Sequence, residues 1–477
     1  MTSTVELPLW LFIVILLFAA ITAASHLLFP SVRWFFRRRM ERVVTRVNKR
    51  LARPIQPFKL LRRQDMIQRL VYDPEVTKAI VVYAEANGVR EDVAFEQAKR
   101  YAREIVPSFS ATAYFGFAIR AARWLSNALY RVRLSHDDEA AIRRIDPEAT
   151  IVFVMNHRSN MDYVLVTYLA ARKSALSYAV GEWARLWPLS ALVRGMGAYF
   201  IRRNSRNALY RKVLAQYVRK ATDGGVAQAI FPEGGLSLNG AVQTPKMGLL
   251  SYLVEGYRSG GRNVVFVPVA LNYDRVLEDR VLLGAGKAGA RRFQGGVRTA
   301  FAFVAERLWL WVSRRYRRFG YAAVHFGLPL SLAEAVAQEE EPTEALATAL
   351  MARIARDVPV LPVPLVAQVL ARGGDWARGD LDAETAALKA RLADVPGHFP
   401  SEDTAEIVEF ALRLLKERKL VVEGGGTITV PEEHRPTIEF YARSIAQHLE
   451  SPAPDKQTSL TAGEVQTERG TPESAKT

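Results

Sequence analysis

Ile151-Val152-Phe153-Val154-Met155-Asn156-His157-Arg158-Ser159-Asn160-Met161-Asp162 is the stretch that decides how this chain is read. Its first five residues, rich in Val and Ile, predict a fully buried strand. The run stops at Asn156, and after Asp162 the apolar residues resume as Tyr163-Val164-Leu165-Val166-Thr167-Tyr168-Leu169, long enough for a buried helix. Strand, polar loop and helix would put His157 at the carboxyl end of a strand, where open α/β sheets present their ligand sites. Ser159 or Asn160 is placed to cap the helix. Asp162 falls in or near its first turn, where the helix dipole favours a negative charge. An imidazole acts as a base near neutral pH when a carboxylate holds its other nitrogen, and a tight turn brings His157 and Asp162 within reach of each other. No Ser or Cys nucleophile is needed if the substrate brings its own hydroxyl. Taken alone, the same residues also describe an ordinary surface loop containing a histidine.

Working outward, residues 151–155, 177–180, 198–201, 226–231, 264–271 and 321–326 read as strands. Helices are expected at about 162–172, 206–221 and 246–258, an alternation that argues for a layered α/β domain. Polar signatures gather at the strand ends. Gly197-Ala198-Tyr199-Phe200-Ile201 runs into Arg202 and Arg203. Phe231-Pro232 ends a buried strand in Glu233, Gly234 and Gly235, where backbone can approach a ligand closely. Val265 to Tyr273 is a buried run carrying Pro268, which predicts an edge or a bulge.

The 477 residues imply two or three units. There is no cysteine, which excludes disulfides, thiolate metal sites and a cysteine acyl-enzyme. Sixty-five basic against 49 acidic residues leave a net charge of +16, which points to an anionic partner. Leu7 to Phe29 carries no Asp, Glu, Lys or Arg, enough to span a bilayer as a helix. Arg33, Arg37, Arg38, Arg39, Arg42, Arg46, Lys49 and Arg50 follow, opposed only by Glu41. The expectation is a single-pass anchor in the cell membrane, with the catalytic unit on the cytoplasmic side and the basic run against anionic lipid headgroups. A cleaved signal peptide is the competing reading, disfavoured by Glu6 and by the basic cluster lying on the wrong side. Residues 52–140 read as helical, 331–395 as Ala-rich and helical, and the chain beyond Ser451 as a disordered tail. The expected division is an anchor at 1–30, a basic segment and helical bundle at 31–140, an α/β domain at 141–330, a mainly helical region at 331–450 and the tail at 451–477. No metal constellation is visible among the seven histidines.

Taken together and in order, the strand-end blocks resemble the glycerolipid acyltransferase family, and within it the glycerol-3-phosphate acyltransferase branch. His157 to Asp162 matches the H-x4-D block in the extended form H-R-S-x-M-D-Y. Gly197 to Arg203 matches the second block, Phe231 to Ser237 the third, and Val267 to Tyr273 the fourth. Pro245 to Gly248, Phe319 to Gly327 and Arg435 to Tyr441 resemble later segments of the branch, so the likeness covers roughly residues 52 to 450. It implies a mixed acyltransferase-type α/β sheet flanked by helices. It also implies transfer of a fatty acyl group from acyl-CoA or acyl carrier protein to the sn-1 hydroxyl of glycerol 3-phosphate. The thioester is a co-substrate, and no resident cofactor is implied. His157 would be the general base and Asp162 its orienter. Arg202, Arg203, Glu233, Gly234, Gly235, Lys246 and Tyr273 would bind substrate. The third block of this branch commonly reads E-G-x-R-S-R, its arginines taken to engage the acceptor phosphate; here those positions are Leu236 and Leu238. Dihydroxyacetone phosphate or a lysophospholipid is therefore kept as an alternative acceptor.

Two further classes compete. Gly235-Leu236-Ser237-Leu238-Asn239 imitates the nucleophile elbow of a serine hydrolase, with His325 downstream, but lacks the closing glycine. Ser401 to Arg418 followed by Leu420 to Val430 reads as a helix and hairpin, the outline of a winged helix. Glu402, Asp403, Glu406 and Glu409 make its start acidic, unsuited to nucleic acid, so the module is expected to be a packing or partner element.

Overall fold

The apolar runs become the strands of one sheet in a computed structural model that describes residues 53–137, 139–170, 175–181, 189–202, 205–257, 262–287, 318–338 and 341–450, with short pieces between 8 and 51. The strands are β1 (Arg131–His136), β2 (Thr150–Met155), β3 (Ser177–Val180), β4 (Tyr199–Phe200), β5 (Gln228–Ile230), β6 (Val264–Tyr273), β7 (Tyr321–Phe326) and β8 (Leu330–Ser331). Their order is β1-β7-β6-β2-β5-β3-β4, with β8 also pairing β6. β6, β2, β5, β3 and β4 run parallel, whereas β7 turns antiparallel against β6 and carries β1 beside it. The sheet is thus the mixed α/β sheet expected of the acyltransferase type.

Both faces of the sheet are covered, which is why β2 and β6 are apolar at nearly every position rather than alternating. Val152, Val154, Phe266 and Ala270 meet the helices Arg63–Val71, Pro74–Asn87, Glu91–Ile105, Ala208–Asp223 and Pro342–Arg356. Ile151, Phe153, Met155, Val267, Val269 and Leu271 meet Met161–Ala170 and the carboxyl-terminal helices Pro362–Leu370, Thr404–Glu417 and Arg435–Ala442. Local signals set the helix ends. Asp73 caps Pro74–Asn87 by accepting from the Glu75 N–H, and Gly88 closes that helix at φ 61°, a left-handed conformation. Asn207 caps Ala208–Asp223 through the Tyr210 N–H.

Three expectations are corrected. The anchor over 7–29, and with it the membrane localisation, does not stand: among the described residues no helix is long and apolar enough to cross a membrane. Within that stretch the described residues are 8–10 and 13–17. The rest of 7–29 lies outside the described residues, as do Arg203 and the tail beyond 450. Second, the stretch read as helical to residue 140 contains β1. Arg131, Arg133 and Leu134 are exposed there, so the strand lacked an apolar run to announce it. Third, Pro268 sits in an inner strand, not an edge. Its carbonyl accepts from the Gly327 N–H, so its missing N–H faces the gap between β7 and β8, where no partner is required.

The carboxyl-terminal helix and hairpin form as Thr404–Glu417, β10 (Val422–Gly424) and β11 (Thr427–Thr429). They are joined by β9 (Trp376–Ala377) into a small antiparallel sheet.

Candidate active site

β2 lies between β5 and β6, so the chain segments that leave these three strands on the same side of the sheet share one edge. Asn156 begins the first of them by continuing the ladder with its side chain. Its amide donates to the Leu271 carbonyl (3.0 Å) and accepts from the Leu271 N–H (2.8 Å). The backbone is thereby freed to turn, and His157 and Asp162 meet. Nδ1 of His157 lies 2.9 Å from Oδ2 of Asp162, both side chains almost wholly buried. The same oxygen accepts from the N–H groups of Arg158 (2.7 Å) and Ser159 (3.0 Å). Oδ1 accepts from the Tyr273 hydroxyl at 2.6 Å. Four donors thus hold one carboxylate, which fixes Nδ1 as the protonated nitrogen of His157. The ring also packs against Phe231, centroids 4.1 Å apart, and edge-on to Tyr163.

Tyr273, expected at the substrate, is turned instead to Asp162. Burial and that carboxylate push its phenol well above the ordinary range. Glu278 had no signal in the sequence beyond its place after the fourth block. Its carboxylate accepts from Ser159 Oγ (2.8 Å), from the Asn160 N–H (3.2 Å) and from Asn160 Nδ2 (3.1 Å). Burial raises its pKa, and it splints the start of the helix Met161–Ala170.

The third motif follows β5. Glu233 is 4% exposed, and neither of its oxygens has a hydrogen-bond partner among the described residues. Burial lifts its pKa to about 8, opposed by the nearby N–H groups of Gln243 and His157 and by the Arg158 charge. Gly234 takes φ 67°, and the Lys246 methylenes lie across it; an added Cβ would stand 2.8 Å from Lys246 Cδ. The Lys246 N–H donates to the Pro232 carbonyl, so this lysine belongs to the Glu233 loop. Gly235 completes the turn beside Leu236, which is half-buried.

Arg202 does not join this group. Its guanidinium makes a paired contact with Glu104 at 2.9 and 2.7 Å and lies over the rings of Tyr101 and Tyr210. The Glu104 carboxylate holds its pKa above the ordinary arginine value.

The elbow-like serine has a different task. Ser237 Oγ donates to the Ala241 carbonyl (2.7 Å), and its N–H donates to the His157 carbonyl (2.9 Å), tying the first and third motifs together. His325 sits elsewhere, between Ser135 and Asp137. Among the described residues, Asp137, His325 and Asp357 are the grouping with metal-ligand spacing. Arg356 already bonds both of its carboxylates, so the cation there is a guanidinium.

Together these features define a class: a buried histidine–carboxylate pair at the end of a parallel strand, beside a second carboxyl on a glycine turn. Comparison with known proteins places the chain within it. The model of the Acyltransferase family matches residues 135–272, and that of the glycerol-3-phosphate acyltransferase C-terminal region matches 306–454. The glycerol-3-phosphate acyltransferase of Ectopseudomonas mendocina is 28% identical over 417 residues, covering 81% of this chain and 49% of that protein. That of Pseudomonas fluorescens is 31% identical over 283 residues, covering 58% of this chain and 32% of its own. The chain thus spans half or less of the length of these relatives. A solved 1-acyl-sn-glycerophosphate acyltransferase of Thermotoga maritima overlaps 61% of this chain and 95% of its own at 17% identity, with a TM-score of 0.31. The chain belongs to the acyltransferase family and, within it, to the glycerol-3-phosphate acyltransferase branch.

Proposed function

We propose that this protein transfers a fatty acyl group from an acyl thioester to the sn-1 hydroxyl of glycerol 3-phosphate. The observation that carries the reading is the His157 ring, held at Nδ1 by a carboxylate that three further donors immobilise. With Nδ1 committed, Nε2 takes the proton from the acceptor hydroxyl. The oxygen attacks the thioester carbonyl, and the tetrahedral adduct collapses by breaking the C–S bond. The departing thiolate then takes the proton from Nε2, so the base is regenerated and no acyl-enzyme forms. A general base of this kind contributes about 10²–10⁴-fold, and the fixed geometry supplies much of the remainder.

Glu233, which keeps a proton near neutral pH, offers both a donor and acceptors to a hydroxyl of the acceptor. Lys246 is the cation beside that loop and is assigned the acceptor phosphate. Gly234 and Gly235, on the same turn, would offer backbone N–H groups to the substrate. Acyl-CoA and acyl carrier protein both present the required thioester.

One observation favours a second acceptor. Leu236 and Leu238 are half-buried against the core where arginines are common in this branch, giving the third motif an apolar lining. That lining suits a lysophospholipid, which brings its own acyl chain. The deciding experiment offers glycerol 3-phosphate, dihydroxyacetone phosphate and a lysophospholipid in parallel with acyl-CoA and acyl carrier protein thioesters, products being identified by mass. Lysophosphatidate formed from glycerol 3-phosphate is the expected result; transfer to the lysophospholipid alone would establish the second reading, and thioester hydrolysis without transfer would overturn both.

A further inference from the structure

Arg158 is the buried charge next to the reacting residues that the proposed chemistry leaves unused. It is 1% exposed, yet Nε and Nη2 have no hydrogen-bond partner among the described residues. A guanidinium cannot relieve that burial by losing its proton, so it stands as a fixed positive charge beside Glu233 and Asp162. Its head points away from the loop that carries it. Nη1 donates to the Gly240 carbonyl, and the cation lies over the Phe440 ring, 5.5 Å from its centroid. Gly240 and Phe440 are themselves in contact: at φ 89°, a Cβ on Gly240 would run into the Phe440 carbonyl.

Phe440 belongs to the helix Arg435–Ala442, which also grips the other side of the site. Tyr441 donates to Asp279 (2.6 Å) and accepts from the Val276 N–H (3.1 Å), while Arg418 bonds both Tyr441 and Asp279. Glu278, whose carboxylate holds Ser159 and Asn160, lies between Val276 and Asp279. Two lines of contact therefore run from one helix to the loop 157–162, through Arg158 and through Glu278.

We propose that Arg158 is a positioning residue coupling the helix Arg435–Ala442 to the His157–Asp162 loop, so that the carboxyl-terminal region is a working part of the catalytic centre. The kinetic arm of the test rests on the acyl-transfer reading; a second arm does not.

Arg158→Lys keeps the charge but loses the planar fork and its stacking, and Phe440→Leu keeps the bulk but loses the ring face. Neither alters His157 or Asp162. Displacements of about 1 Å at a reacting group cost about 10²-fold in rate. Arg158→Lys is therefore expected to lower kcat by about that factor, and Phe440→Leu by less, with both KM values nearly unchanged. The double variant should be no slower than Arg158→Lys, because the two act through one contact. Hydrogen exchange followed by mass spectrometry on the full chain supplies the second arm. Amides of 157–162 should exchange faster in both variants, and those of β6 and of the helix Glu91–Ile105 should not change. Unchanged exchange at 157–162, or acceleration throughout the chain, overturns the coupling. A raised acceptor KM in Arg158→Lys with Phe440→Leu silent overturns it in favour of direct substrate contact. If the wild type transfers no acyl group, the functional reading fails while the exchange arm still decides the coupling.

Discussion

Asp162 and Glu233 are both buried carboxyls at neighbouring strand ends, and they are treated in opposite ways. Asp162 accepts from four donors and has no room to change partner. Glu233 is almost as deeply buried, yet its oxygens lack hydrogen-bond partners of good geometry among the described residues, the backbone N–H groups of Gln243 and His157 lying nearby. Leaving a buried polar group unpaired costs about 1–3 kcal/mol, and more for a charged one. A fold that satisfies one carboxyl with four donors and its neighbour far less fully suits the two duties proposed for them, the first orienting a base and the second meeting substrate.

The comparison breaks first at Asp162. Asp162→Asn should lower the single-turnover rate by about 10⁴-fold by favouring the wrong tautomer of His157, with donor binding retained. A variant within tenfold of the wild type would show that the four bonds at Asp162 serve packing alone. His157→Ala should lose about 10²–10⁴-fold, and adding it to Asp162→Asn should cost little more, since the pair acts as a unit.

Glu233 sharpens the contrast through pH. Its pKa is raised from 4.5 to about 8, so the folded chain keeps a proton that the unfolded chain releases. The associated stability is complete below about pH 4.5 and is lost as pH rises through 8. Asp274, raised from 3.8 to about 7 by burial while accepting from the Tyr321 and Val363 N–H groups, has the same sign. Melting temperature should fall as pH rises from about 4.5 to 8, and Glu233→Gln should remove the Glu233 part of that fall, which is the part that continues from about 7 to 8, while raising the acceptor KM. A pH profile identical to that of the wild type would place Glu233 in a different electrostatic setting.

Cations give a smaller effect. Lys246→Ala should raise the acceptor KM and leave that of the donor alone. Arg202→Ala should change neither by much, because Glu104 already occupies its fork. The reverse ranking would mean that Arg202 leaves Glu104 when substrate binds. Smallest of all, Ser237→Ala should keep substantial activity, and no acyl adduct should accumulate with donor alone; a covalent adduct on Ser237 would replace direct transfer with a hydrolase-like path.

What could be read from the sequence was local. The five-residue step from His157 to Asp162, the apolar runs of β2 and β6 and the glycine turn after Glu233 all lie within a few residues of their own cause. The rest depends on strand order, which no single segment encodes. Tyr273 reaches Asp162 across 111 positions of chain, and Glu278 reaches Ser159 across 119. Arg158 is buried by the helix Arg435–Ala442, about 280 positions away in the chain, and nothing in its own segment signals that burial. The charged alternation of β1 hid a strand whose partner, β7, begins 190 residues later.

Strand order also acts as a ruler. From β2, which delivers His157, to β4, which delivers Arg202, is three strand spacings, about 14 Å between axes. The five bonds from a terminal hydroxyl oxygen of glycerol 3-phosphate to its phosphorus, at about 1.5 Å each, span at most about 7 Å. A molecule of that length cannot bridge the two strand ends by itself, whereas the long arm of an acyl thioester can. On the proposed acyl-transfer reading, the width of the sheet would sort the two substrates by size: the short one would lie over β2 and β5, and the stretch toward β4 is scaled to the long one.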